Sequence, residues 1–120
     1  MLEKLKFYID GQWVDPVDAR TLDVVNPATE EAYGRISLGS AADVDKAVAA
    51  AKRAFESFSQ TTRQERIDLL QASLAEFKNR HDDVAEAIMD EMGAPWSLAK
   101  GAQALSGAQH IKAAIKALEH

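Results

Sequence analysis

Alternating apolar and polar residues near the start of the chain predict short β-strands. In Lys4–Asp10 every second residue is apolar, which is the period of a strand with one buried face. The turn dipeptide Asp10-Gly11 follows, and Trp13-Val14 begins a returning segment, so we expect a β-hairpin. Two further short strands are expected downstream, at Leu22–Val25 and at Tyr33–Leu38.

After Ser40 the apolar period changes to three and four residues, which predicts helices. Ser40 with Asp43, and Thr62 with Glu65, have the spacing of capping boxes, so each pair marks a helix start. Gly93 is a typical residue at which a helix ends. Four helices are predicted: Ser40 to about Phe58, Thr62 to about Asn79, a short one ending at Gly93, and about Trp96 to Leu118.

Two of these helices carry apolar stripes that we expect to be buried. The first stripe comprises Val44, Ala47, Val48, Ala51, Phe55 and Phe58, and the last comprises Ala102, Leu105, Ala108, Ile111, Ile115 and Leu118. The last helix also contains Gly101 and Gly107, each of which costs about 1 kcal/mol relative to alanine. A helix accepts glycine where a neighbour must approach closely, and tolerated surface glycine is the alternative. We expect this helix to pack on more than one side.

Composition narrows the possible partners and chemistry. Fourteen Lys and Arg against nineteen Asp and Glu give a net charge of −5, which argues against nucleic acid or an anionic membrane surface as a partner. The absence of cysteine excludes disulfides, thiolate zinc sites and cysteine nucleophiles from these residues. No run of residues is long and apolar enough for a membrane span, and Met1–Lys6 lacks an apolar signal core. A cytoplasmic location is the expectation.

The side chains show no catalytic constellation. His81 and His110 each lack a second ligand at the spacing of a metal site, so solvated or capping histidines are expected. The adjacent carboxylates Asp82-Asp83 and Glu30-Glu31 point apart, and the glycines form no phosphate-binding loop. We therefore assign no catalytic and no cofactor-binding residue to this chain.

The order of four short motifs is more informative than any one of them. They are Phe7–Val14, Val24–Glu31, Asp43–Phe55 and Glu91–Pro95. The succession resembles the N-terminal segment of the NAD(P)-dependent aldehyde dehydrogenase superfamily, and the resemblance covers essentially the whole chain. It implies an α/β parent with a Rossmann-type cofactor domain. Residues 1–39 are then an N-terminal β arm with a hairpin and short strands, and residues 40–120 are about four helices of the truncated cofactor-binding domain.

The resemblance also implies a reaction for the parent. A cysteine thiolate attacks the aldehyde, hydride passes to NAD or NADP, and a glutamate-activated water hydrolyses the thioester. These groups and the cofactor pocket are expected outside this chain, which makes it an inactive N-terminal fragment that binds no cofactor itself. The alternative from another class is a free-standing helical scaffold or interaction module without chemistry.

One family site is expected to touch this segment. Several members hold a structural monovalent cation through main-chain carbonyls, and the matching positions here are Val24, Val25 and Glu91. A plain strand end and helix end is the alternative, since carbonyl ligands leave no side-chain signature. Asn26 is expected to brace its turn rather than to contact substrate.

Partners are expected to follow from the truncation. The parent would take an aldehyde and form a homo-oligomer, while the fragment would bind neither nucleic acid nor membrane. Its last helix would expose a surface that a missing element covers, so we expect self-association, most simply as a symmetric dimer through that helix. Leu118-Glu119-His120 fits either a native helix end or a tag junction.

Overall fold

The computed structural model of this protein describes all 120 residues and divides them into two compact units, Met1–Gln60 and Thr61–His120. Strands give way to helices after Leu38, but the first helix lies in the same unit as the strands. The first unit contains β1 (Leu2–Lys4), β2 (Phe7–Ile9), β3 (Gln12–Val14), β4 (Arg20–Asn26), β5 (Glu31–Leu38) and α1 (Ala41–Phe58). The arrangement of strands followed by helices confirms the predicted fold class.

The strands form two small sheets. One has the order β1-β5-β4, with β1 parallel and β4 antiparallel to β5, and the other is the β2–β3 hairpin. At the hairpin turn Asp10 has φ 56° and Gly11 has φ 73°, which is the left-handed pair that a two-residue hairpin turn requires. The prediction of a hairpin at Asp10-Gly11 is confirmed.

Helix α1 buries a different face from the one we expected. Ala50 is buried and Ala47 is half-buried, and this face lies over β2. Of the predicted stripe only Ala47 is part of this face, and its large members Val44, Val48, Phe55 and Phe58 are exposed, Phe55 to 68%. The prediction of a buried stripe is wrong because a helical period shows that a face is apolar, not that an element of this unit covers it.

The second unit is entirely helical. It contains α2 (Arg63–Asn79), α3 (His81–Met92), the single turn α4 (Trp96–Leu98), a π-helical segment (Ala99–Ala104) and α5 (Leu105–Glu119). Gly93 ends α3 with φ 69°, as predicted. The centre of the unit is a cluster of Ala85, Ala99 and Ala104, with Val84 and Ile88 among the larger side chains packed around it.

The π-helical segment shifts the buried face of the last helical stretch. Hydrogen bonds from i to i+5 place one extra residue in the turn, so Ala99 and Ala104, five residues apart, are both buried. Of the predicted stripe, Ala108 and Ile115 are buried, but Ala102 and Leu105 are exposed. That part of the prediction is wrong because the α-helical period of 3.6 residues does not hold across the π-helical segment.

Of the two glycines in this stretch, only Gly107 makes a close approach. A Cβ atom at Gly107 would lie 2.6 Å from Cζ of Phe77, whereas a Cβ atom at Gly101 would meet nothing within 4 Å. Helix α2 therefore packs its Phe77 ring directly on the α5 backbone, so the close approach that we expected at both glycines is present at Gly107. Gly101 fits the alternative of a tolerated surface glycine.

We predict that Gly107→Ala destabilises the protein by about 1–3 kcal/mol, because Phe77 must leave its position to admit the methyl group. Gly101→Ala is the matched control, and we expect it to be neutral or stabilising by up to about 1 kcal/mol. Urea unfolding followed by circular dichroism measures both. Equal stabilities for the two variants would show that the Phe77–Gly107 contact does not constrain the packing of α2 on α5.

Candidate functional site

The polar side chains of the second unit connect α3 to the π-helical segment and form no reactive centre. Nε2–H of His81 donates to the carbonyl oxygen of Lys100 at 3.0 Å. Nζ of Lys100 lies 2.8 Å from Oδ1 of Asp82 and 5.5 Å from the centre of the Trp96 ring. His81 is therefore a structural hydrogen-bond donor, and no group of three His, Cys, Asp or Glu residues in the chain could hold a metal ion.

The N-termini of α1 and α2 are closed by their own carboxylates. The Ser40 N–H donates to Oδ2 of Asp43 at 2.9 Å, and the Thr62 N–H donates to Oε2 of Glu65 at 2.6 Å. Both predicted capping boxes are confirmed. Each box satisfies two backbone N–H groups of its helix, because the Asp43 N–H also donates to Oγ of Ser40 and the Glu65 N–H donates to Oγ1 of Thr62.

Asp43 makes a second contact that the sequence does not reveal. The Val17 N–H donates to Oδ1 of Asp43 at 2.9 Å, so one carboxylate caps α1 and also fixes the loop between β3 and β4. The hydrogen bonds from Ser40 and then from Val17 lower the pKa of Asp43, and those from Thr62 lower the pKa of Glu65. Val17 is 26 positions away from Asp43, and no local pattern predicts that pairing.

The residues of the expected cation site lie in separate parts of the fold. Val24 and Val25 are in β4 of the first unit, where the register shifts between them as it passes from Val24↔Gly34 to Val25↔Ala32. Glu91 lies exposed on the last turn of α3, in the second unit. The monovalent cation site at these three residues stays a prediction.

Asn26 has the bracing role that we expected. Its Oδ1 accepts the Ala28 N–H at 2.9 Å, and its carbonyl oxygen accepts the Glu30 N–H at 2.8 Å. Glu30 is left with φ 59°, in the left-handed region. The side chain of Asn26 therefore stabilises the turn between β4 and β5.

The second unit also carries an open apolar groove between α2 and α3. It has a volume of about 910 Å³. Its apolar lining includes Phe77, Val84, Ile88, Met92 and Ile111. Its charged lining consists of Glu76, Arg80, Asp83 and Glu91. We call this feature the α2–α3 groove.

Comparison with known proteins agrees with the motif order. The aldehyde dehydrogenase family model matches residues 13–120. The chain is 46% identical over 119 residues to a 3-succinoylsemialdehyde-pyridine dehydrogenase from a Pseudomonas species, covering 98% of this chain and 25% of that protein. It therefore spans about a quarter of the length of such relatives and matches an N-terminal segment of them.

Solved structures share the fold of this segment. A crystal structure of aldehyde dehydrogenase from Bartonella henselae superposes with a TM-score of 0.97 at 45% identity, covering 99% of this chain and 25% of that one. A variant of aldehyde dehydrogenase C from Pseudomonas syringae, in complex with NAD+ and octanal, superposes with a TM-score of 0.93 at 42% identity. It covers 96% of this chain and 24% of that one.

We predict that Asp43 makes stability depend on pH. Its pKa in the folded state lies below the ordinary value of 3.8, so its contribution is complete above that value and is lost as pH falls through the lowered pKa. Asp43→Asn should lower Tm at pH 7, and the difference from the unchanged protein should shrink in acid. Thermal melts between pH 7 and pH 2 measure this.

Asp45→Asn is the control for that titration, because it removes the same charge from an exposed position on the same helix. We expect it to leave Tm at pH 7 near that of the unchanged protein. Equal losses for the two variants would mean that net charge, and not the hydrogen bonds from Ser40 and Val17, sets the effect.

Proposed function

This chain belongs to the aldehyde dehydrogenase family, and we propose that it forms the β arm and the first helices of an enzyme that oxidises an aldehyde to a carboxylic acid with NAD or NADP. The observation that carries the proposal is the superposition of 99% of the chain, at 45% identity, on a quarter of a solved aldehyde dehydrogenase. A relative that holds NAD+ and octanal supports the cofactor and the substrate class.

The chain's own residues do not fit a dinucleotide. A pyrophosphate group binds at helix N-termini, but the carboxylates of Asp43 and Glu65 lie at two of them and would repel it. Helix α3 begins with Asp82 and Asp83, which would repel a phosphate at a third. We therefore propose that cofactor binding belongs to the part of the enzyme that this chain does not match.

The chemical steps of the reaction are likewise assigned to the part of the enzyme that this chain does not match. With no cysteine among its 120 residues, the chain supplies no thiolate nucleophile. Its role in the proposed enzyme is structural, and substrate binding and the chemical steps are assigned to the remaining three quarters. A cytoplasmic location stays a proposal. None of the helices is long and apolar enough to cross a membrane.

The isolated chain is also proposed to self-associate through its last helix. On α5 the small residues Ala113, Ala114 and Ala117 are exposed. Small exposed side chains allow two helices to approach closely, and burial of this apolar face would favour a symmetric pair. The proposed enzyme is likewise expected to be a homo-oligomer.

We predict that the isolated chain forms no NADH from octanal and NAD+, whereas a chimera in which it replaces the matching quarter of the unsubstituted Pseudomonas syringae enzyme does. Absorbance of NADH at matched protein concentrations is the measurement, with that intact enzyme as the positive control. NADH formation by the isolated chain would contradict the structural role. A folded but inactive chimera would favour the alternative of a scaffold without chemistry.

A further inference from the structure

A second opening in the helical unit lies between the C-terminal end of α2 and the first half of α5, and we call it the α2–α5 cavity. Its lining includes the charged residues Lys78 and Lys112 and the apolar residues Leu105 and Ala108. Its volume is about 450 Å³, which is within the range of pockets that bind small molecules. Such pockets combine an apolar surface with a few polar groups, and this cavity has both.

The charge that the cavity presents is positive. Lys78 on α2 and Lys112 on α5 are both exposed, and the side chain of neither makes an ion pair or a hydrogen bond within the chain. Asp82 also lies on the lining, but its Oδ1 is 2.8 Å from Nζ of Lys100, so that lysine offsets its charge. Because lysine ammonium groups sit on flexible four-carbon stems, Lys78 and Lys112 can both turn toward one anion.

The apolar lining and Asp82 determine which kind of anion fits. Leu105 is 39% exposed, and an inorganic phosphate, which has no apolar part, would leave it in contact with water. A phosphate also carries nearly two negative charges, so Asp82 repels it more strongly than it repels a carboxylate. An organic acid with one carboxylate and a short apolar chain matches both the lysines and Leu105.

Contacts within the helical unit hold the cavity in place. His81, which is on its lining, donates from Nε2–H to the carbonyl oxygen of Lys100 at 3.0 Å, so the ring has a fixed position. The self-association proposed above does not cover the cavity. Ala117 is nine positions after Ala108, and because nine residues are about two and a half helical turns, Ala117 lies on the opposite side of α5.

We propose that the α2–α5 cavity binds a small organic acid, with its carboxylate between Lys78 and Lys112 and its apolar chain against Leu105 and Ala108. The proposal goes beyond the proposed function and does not depend on it, because every residue that it uses lies in this chain. Ion pairs with exposed lysines are individually weak, so we expect affinity in the millimolar range, with the apolar contact supplying part of it.

The probe is hexanoate, and its binding is followed in ¹H–¹⁵N NMR spectra of the chain at pH 7. We expect saturable shifts of the amide signals of Lys78 and Lys112. Lys78→Gln and Lys112→Gln should each raise Kd by about threefold, because each removes one exposed ion pair. Lys116→Gln is the matched control, since it removes the same charge from an exposed position of α5 outside the cavity and should leave Kd unchanged.

A second measurement does not depend on the quality of the NMR spectra. Hexanoate should raise Tm more than sodium chloride does at the same concentration, because it binds only the folded chain, and the difference should disappear when both Lys78 and Lys112 are glutamine. The apolar part of the site has its own variant. Leu105→Asn should weaken hexanoate binding by at least about threefold while leaving the binding of acetate, which has no apolar chain, unchanged.

Several results would overturn the proposal. Equal increases in Kd for Lys78→Gln and Lys116→Gln would mean that the net charge of the chain, and not the cavity, attracts the acid. Hexan-1-ol binding as tightly as hexanoate would show that the lysines take no part, and inorganic phosphate binding more tightly than hexanoate would contradict the class of ligand. Shifts that grow linearly with hexanoate, or equal Tm values in hexanoate and sodium chloride, would show that the cavity is not a binding site.

Discussion

The rest of the structure depends on a shortage of buried volume. Seven apolar residues are buried, five of them alanines and the others Ile67 and Ile115, and no large side chain is fully enclosed. A unit of 60 residues buries only about 60% of the surface that its unfolded chain exposes, so each half of this protein is marginal by itself. Large side chains such as Phe55, Trp13 and Met92 consequently remain more than half exposed.

Small residues at the centre determine how the helices pack. Ala85, Ala99 and Ala104 let α3 lie directly against the π-helical segment, and Gly107 lets the Phe77 ring lie on the α5 backbone. Such contacts are close but bury little apolar area, so hydrogen bonds supplement them. His81 to the Lys100 carbonyl and Asp43 to Val17 each connect segments that are distant in sequence.

The sequence predicted local structure well and tertiary structure poorly, for a physical reason. The Asp10-Gly11 turn, the two capping boxes and the Gly93 helix end are each set by a few neighbouring residues, and the structure has all of them. Three features were not predicted: the exposed stripe on α1, the π-helical segment and the hydrogen bond between Val17 and Asp43. Each of them depends on tertiary packing between segments that are distant in sequence. Hydrophobic periodicity identifies an apolar face, but it does not identify the partner that covers it.

The functional features also divide into those that a local sequence pattern predicts and those that depend on tertiary packing. The order of four motifs indicates the family. The groove depends on the packing of α2 beside α3, which no local pattern predicts. Asp43 and Glu65 stabilise the helices of this chain by accepting hydrogen bonds from the backbone N–H groups of Ser40 and Thr62. We interpret the 120 residues as a support whose open apolar faces belong against other protein.

The central claim is that the chain alone leaves apolar surface uncovered. Sedimentation velocity across a concentration series up to tens of micromolar, with a thermal melt of the same samples, tests it most directly. We expect concentration-dependent self-association and a broad melt whose midpoint rises with concentration. A monomer at every concentration with a sharp cooperative melt would contradict the account, because it would show that 120 residues suffice to cover their own core.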